Sequence, residues 1–193
     1  AQAITLDAGT LVAGDRLIHL VAGNGVTQHA TNHGGLQATD LLLEGGGTFR
    51  LVTTGASDNL VANLATVGNL AGHLVFENGQ DLVITTVDDL AATSHDGVSA
   101  NSLFIIASNS AITIDEALTS TTGYLALRAD TDLNVNAAVS SAGVLTIVGS
   151  TTGNQSVNAG GSLQSVGDFW LYGGTVLLAD TTTSQADGDV YIQ

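Results

Sequence analysis

Residues 123–150 read "GYLALRADTDLNVNAAVSSAGVLTIVGS", and this stretch contains two phrases of the form Gly-apolar-Leu-x-apolar. The first is Gly123-Tyr-Leu-Ala-Leu127, the second is Gly143-Val-Leu-Thr-Ile147, and a polar turn follows each. Self-similarity at a fixed period, here about 20 residues, is the mark of a repeat architecture.

The inner apolar residue of each phrase serves as an anchor. Leu103, Leu125, Leu145, Phe169 and Val190 follow one another at intervals of 22, 20, 24 and 21. Leu74, Leu41 and Ile18 extend the series backward at intervals of 29, 33 and 23. A second phrase follows at a nearly fixed offset. Val26, Phe49, Leu82 and Leu133 each stand at +8 from an anchor; Ile112, Gln155 and Val176 stand at +9, +10 and +7 from theirs. Each unit therefore reads as two short strands, a turn, and a more variable return.

Strand is the expected state because apolar residues alternate with period two, as in Leu125-Ala-Leu127 and Leu133-Asn-Val135. Gly, Asn, Asp, Ser and Thr gather between the phrases as turn formers. The stretch 58–70, "DNLVANLATVGNL", is the one segment with helical character.

A unit of about 20 residues is too short for a propeller blade, which needs about 40. The Leu and Asn signature of leucine-rich repeats is missing. A β-sandwich fits the local strand spacing but gives no reason for every second strand to repeat a phrase. A parallel β-helix gives that reason, because equivalent side chains stack into inward ladders from coil to coil.

The expected fold is thus an all-β parallel β-helix, or β-solenoid, over 1–193, with about eight coils of roughly 20–24 residues. At about 4.8 Å per coil, Ile18 to Val190 would span roughly 34 Å. The absence of proline fits, since a stacked coil needs its N–H donors. Ala107, Ala126 and Gly149 are expected to point into a narrow core. Segments 28–40 and 88–101 are expected to leave the stack as loops.

Composition sets further bounds. Hydrophobic residues make up 44% of the chain and aromatics 4%, so the core is aliphatic. With no cysteine, disulfides and thiolate metal sites are excluded. Arg16, Arg50 and Arg128 are the only basic residues beside the histidines, and the net charge is −15. Such a chain repels nucleic acid and anionic membrane surfaces. The uncharged run 133–167 is too rich in Ser, Thr, Asn, Gln and Gly for membrane insertion.

The stretches 59–87 and 111–150 combine Leu-x-Ile strands, Asn/Gly turns and Ala-Val returns. In this texture, over roughly 41–193, the chain resembles the coils of filamentous-haemagglutinin-type bacterial surface exoproteins and adhesins. The resemblance implies a right-handed parallel β-helix, secreted and carried at the cell surface, serving as a stalk, filament or matrix component. The Asn-Pro motifs of that family's secretion domains have no counterpart here, so the chain reads as shaft.

Candidate chemistry is sparse. His29 and His33 stand at i and i+4, with His19 nearby, but outside a helix that spacing does not bring two imidazoles together. The acidic pairs Asp88/Asp89, Asp115/Glu116, Asp130/Asp132 and Asp187/Asp189 lie near turns, without the glycine-rich nonapeptide of calcium-binding β-rolls. "DTTTS" at 180–184 does not recur in register as an ice-binding face would require. Trp170 and Tyr172 are expected to share one outer face. No catalytic, cofactor-binding or metal residue is assigned, and no cofactor is expected.

The expected function is a structural extracellular element, the shaft of an adhesin or a subunit of a surface or matrix filament. The rival is a carbohydrate-binding or carbohydrate-cleaving β-helix of the tailspike or polysaccharide-lyase kind. It would need outward carboxylates and aromatics converging in consecutive coils. The chain opens on the alternating phrase "AITL" at 3–6 and closes on "DVYIQ", the anchor phrase of a new coil. It is therefore expected to be part of a longer rod, or a subunit that self-associates end to end, with a host-surface or matrix glycan as a further candidate partner.

Overall fold

The computed structural model describes residues 3–7, 9–28, 34–52, 59–150, 153–157, 160–179 and 183–193. Among these residues there is no helix, and the chain folds as a parallel β-solenoid of about seven turns.

Two ladders run the length of the stack. The first joins Ile4–Leu6, Gly25–Gln28, Thr48–Leu51, Asn69–Asn78, Val98–Ala107, Leu125–Ala129, Leu145–Val148, Phe169–Tyr172 and Val190–Ile192. The second joins Leu11–Ala22, Leu36–Gly45, Leu60–Thr66, Leu82–Ile84, Ile112–Ile114, Leu133–Val135, Asn154–Val157 and Thr175–Leu178. A third branches from Val98–Ala107 and carries Leu118–Ser120, Ala138–Ser141, Ser162–Ser165 and Thr183–Ala186. This third ladder is the variable return expected from the sequence.

The core is the set of inward columns. Leu74, Leu103, Leu125, Leu145 and Phe169 stack in register and are buried. Phe76, Ile105, Leu127, Ile147 and Leu171 form the next inward column two positions on. Alternation decides this, since side chains i and i+2 share one face of a strand. For the same reason Ala126, between Leu125 and Leu127, faces outward rather than into the core, whereas Ala107 is buried as expected. Gly149 sits beside the Gln155 side chain, where an added Cβ would lie 2.4 Å from its Nε2.

The first ladder passes through Phe49, Val26 and Ile4, not Leu41 and Ile18. Ile18 and Leu41 belong to the second ladder, which continues through Leu64, Ile84, Ile114 and Val135. The long interval between Leu41 and Leu74 is therefore a step between ladders. An offset of +8 carries the chain from the second ladder to the first at Ile18–Val26, and from the first to the second at Leu74–Leu82. The offset alone does not distinguish the two.

Three further expectations are corrected. The described part of the 58–70 stretch, residues 59–70, is not helical: Leu60–Thr66 and Asn69–Asn78 are strands. Residues 36–40 do not leave the stack but begin the strand Leu36–Gly45. The excursion placed at 88–101 is an antiparallel hairpin of Thr86–Asp88 against Ser94–Asp96, and Val98–Asn101 already lie in a stacked strand. The hairpin is also seated. Val87 is 2% exposed and packs with Leu42 and Ala65, in a small cluster separate from the main core.

Buried amides fix the turns of the first coils. Asn59 donates to the carbonyls of Leu51 at 3.1 Å and Glu77 at 2.9 Å, and its Oδ1 accepts from Gln28 Nε2 and the Leu36 amide. Asn78 exchanges hydrogen bonds with the backbone of Val61, at 2.8 and 3.0 Å. Backbone groups buried at a bend need such partners.

Candidate functional site

Because the interior is filled by side chains, any recognition takes place on the outer faces. The outward column of the first ladder carries Val75, Phe104, Ala126, Thr146, Trp170 and Tyr191. Its last rungs form an aromatic stack. Trp170 lies 3.8 Å from Tyr191 between ring centroids, with planes 10° apart, and 6.0 Å from Tyr172. Phe169 and Leu171 point inward, so Trp170 and Tyr172 share the outer face expected for them. Sequence reasoning misses Tyr191 as their partner, although its spacing from Trp170 equals that of Val190 from Phe169.

The Tyr191 hydroxyl donates to Asp189 at 3.1 Å. That bond and the negative charge of Asp189 push the phenol above the usual tyrosine range. One face of the indole is covered by Tyr191, so this stack is poorly disposed to receive a sugar ring on both sides of Trp170.

The expected acidic pairs do not converge. Asp88 accepts from Ser94 Oγ at 2.6 Å, Asp115 from Asn136 at 2.6 Å, and Asp132 from the Asn154 amide at 2.8 Å. Asp130 pairs with Arg128 at 2.9 Å and accepts the Asn109 amide. Asp89 accepts the amides of Ala91 and Thr93 at 2.8 and 2.9 Å. The Thr93 N–H above all, with His95 Nε2 at 3.4 Å, holds the Asp89 carboxyl below the usual aspartate range. These carboxylates fasten turns and neighbouring coils.

His19 pairs with Glu44 at 3.0 Å across adjacent coils. His29 and His33 lie outside the described residues, as do residues 180–182 of the Thr-rich stretch. Among the described residues no group of three or more His, Cys, Asp or Glu could hold a metal ion.

The third ladder has a different surface. Ser120, Ser141 and Ser165 are buried and donate to the carbonyls of Gly123 at 2.7 Å, Val144 at 3.0 Å and Gly167 at 2.9 Å. They form the floor of an open groove of about 310 Å³ whose walls are Ser140, Gln164, Gln185, Ala142, Val166 and Asp187. None of these wall residues stands out in the sequence. The only signal is the register itself.

Comparison with protein-family models, curated proteins and solved structures returned no match. What is established is the parallel β-solenoid. The filamentous-haemagglutinin-like texture remains a resemblance of repeat pattern.

Proposed function

We propose that this chain is a non-catalytic shaft element of a secreted bacterial surface protein, of the filamentous-haemagglutinin-like kind, extended end to end by further coils. The observation that carries this reading is the first ladder's register, which holds from Ile4 to the edge strand Val190–Ile192.

End-to-end extension of such a ladder would stack a second copy head to tail. A heterologous contact of that kind does not close, and it propagates into a filament. The −15 charge supports an extracellular setting in which salt screens self-repulsion and nucleic acid is not a partner. Without cysteine or lysine, the joint would rest on strand pairing and aliphatic burial.

Light scattering over a range of protein and salt concentrations, with negative-stain microscopy, tests the proposal. End-to-end assembly predicts elongated particles whose mass grows with concentration and with salt. Ile192→Pro, which removes an N–H on the side of the strand turned away from the preceding coil, should shorten them. A monomer of constant mass under all these conditions contradicts self-assembly of this chain.

A further inference from the structure

The outward column of the third ladder runs Asn69, Ser99, Thr119, Ser140, Gln164, Gln185, six polar uncharged residues in consecutive rungs. Near its start the polar groups satisfy one another. Ser99 Oγ donates to Asn69 Oδ1 at 2.9 Å, Asn69 Nδ2 to Asn101 Oδ1 at 3.3 Å, and Thr121 Oγ1 to the same Asn101 oxygen at 3.2 Å. Asn101 Nδ2 in turn donates to the Ala71 carbonyl at 2.9 Å.

The last three rungs differ. The side chains of Ser140, Gln164 and Gln185 make no hydrogen bond among the described residues, and both glutamines are exposed. These are the rungs that line the groove. Its serine floor is committed to backbone carbonyls, so the floor is fixed and the wall is free. Ala142 and Val166 add an aliphatic strip, and the Asp187 carboxylate stands at one end.

The chemistry of this wall selects a class of ligand. A primary amide offers two donors and an acceptor, and a hydroxyl offers both functions. No cation lines the groove, while one carboxylate does and the whole chain is strongly acidic. Anionic polymers are repelled, and hydroxyl-rich neutral ones are not. The free groups also recur once per coil, about every 4.8 Å along the rod. A linear polymer with a similar rise presents one unit to each rung. An extended β-1,4-linked sugar chain has a rise per ring close to that spacing.

We infer that the groove walled by Ser140, Gln164 and Gln185 binds a neutral, extended β-1,4-linked glycan lying along the solenoid axis. Hydroxyls of successive sugar rings exchange hydrogen bonds with Gln164 and Gln185. Asp187 accepts from a hydroxyl at the end of the site, and the strip of Ala142 and Val166 meets the apolar C–H face of a ring. This inference rests on the groove alone and stands whether or not the chain assembles end to end.

The test titrates the isotope-labelled chain with cellohexaose and with hexa-N-acetylchitohexaose, using hexagalacturonate as the anionic counterpart, and follows amide resonances. The expected result is that at least one neutral hexamer shifts the side-chain amides of Gln164 and Gln185 and the backbone around Ser140 and Val166. Hexagalacturonate should leave them in place. The double variant Gln164→Ala, Gln185→Ala should weaken binding by roughly fivefold or more, the loss of at least one net hydrogen bond. Its melting temperature should be unchanged, since neither side chain is buried. The proposal is overturned if neither neutral hexamer shifts these resonances. It is equally overturned if the shifts centre on Trp170 and Tyr191, if a folded double variant binds as well as the parent, or if hexagalacturonate binds equally.

Discussion

Gly97 donates its backbone N–H to the carbonyl of Thr85 at 3.2 Å, although the whole 86–96 hairpin lies between them in the chain. The Gly97 carbonyl in turn accepts the amide of Thr66 from the coil beneath, at 2.9 Å. The coil therefore runs on past the hairpin as if the hairpin were absent. Replacing 86–96 by two glycines should leave the parallel β-solenoid intact, with an unchanged far-ultraviolet spectrum and a lower melting temperature, because Leu42 and Ala65 lose the cover of Val87. Loss of the β spectrum would show that the hairpin is part of the scaffold.

Gly97 itself is constrained. Its φ is +68°, and a Cβ there would meet the Ala117 carbonyl oxygen at 2.1 Å. Gly97→Ala should cost about 1–3 kcal/mol for the left-handed backbone alone, and more for displacing the neighbouring coil. Urea denaturation of the variant against the parent measures this.

In the core, Leu145 is buried between Leu125 and Phe169 of the adjoining coils. Leu145→Ala should destabilise the fold by about 2–5 kcal/mol, as truncation in a filled core does. The midpoint of chemical denaturation reports it. A change within experimental error would place Leu145 outside the core.

Asn59 presents a polar counterpart. Its removal by Asn59→Ala strands the Leu36 amide and the carbonyls of Leu51 and Glu77, each at about 1–3 kcal/mol if no water replaces the lost partner. Hydrogen exchange should speed up at Leu36 and its neighbours while Leu125 and Leu145 stay protected. Uniform acceleration would mean that the solenoid unfolds as one unit.

The hairpin should respond to acid. Asp89 is held below the usual aspartate range, chiefly by the Thr93 N–H, so its native form binds a proton only at lower pH than the unfolded chain does. Its contribution is present above the ordinary aspartate range and is lost as pH falls through the lowered value. Amides of Ala91 and Thr93 should lose protection across that window, and Asp89→Asn should abolish the dependence. Protection that persists to full protonation of Asp89 would contradict the assignment.

Much of the fold was legible because one inward column of Leu, Ile and Phe repeats at nearly constant spacing. The phase was legible only after residue 74. Ile18 and Leu41 belong to the second ladder, and because steps between ladders have nearly the same length, spacing alone could not separate them. The apolar run at 60–66 looked helical because Val61, Leu64 and Ala65 fit a helical stripe, yet all three are buried in a strand between stacked neighbours. That is tertiary pairing overriding local pattern. The groove was hidden for another reason. Ser140, Gln164 and Gln185 are ordinary one by one and become a surface only when the register brings them together.

The register is therefore the claim on which core, groove and edge all depend, and the cysteine-free chain allows a direct measurement of it. Ala126 and Thr146 are paired outward positions on adjacent coils of the first ladder. Stacked strands lie about 4.8 Å apart, within the Cα separation that a disulfide spans. The double variant Ala126→Cys, Thr146→Cys should close a disulfide within one chain under mild oxidation, seen as a mass loss of two hydrogens and faster migration in a non-reducing gel. A double variant that remains reduced, while Ala126→Cys readily cross-links with a cysteine at Asn134 on the second ladder, would contradict the solenoid register.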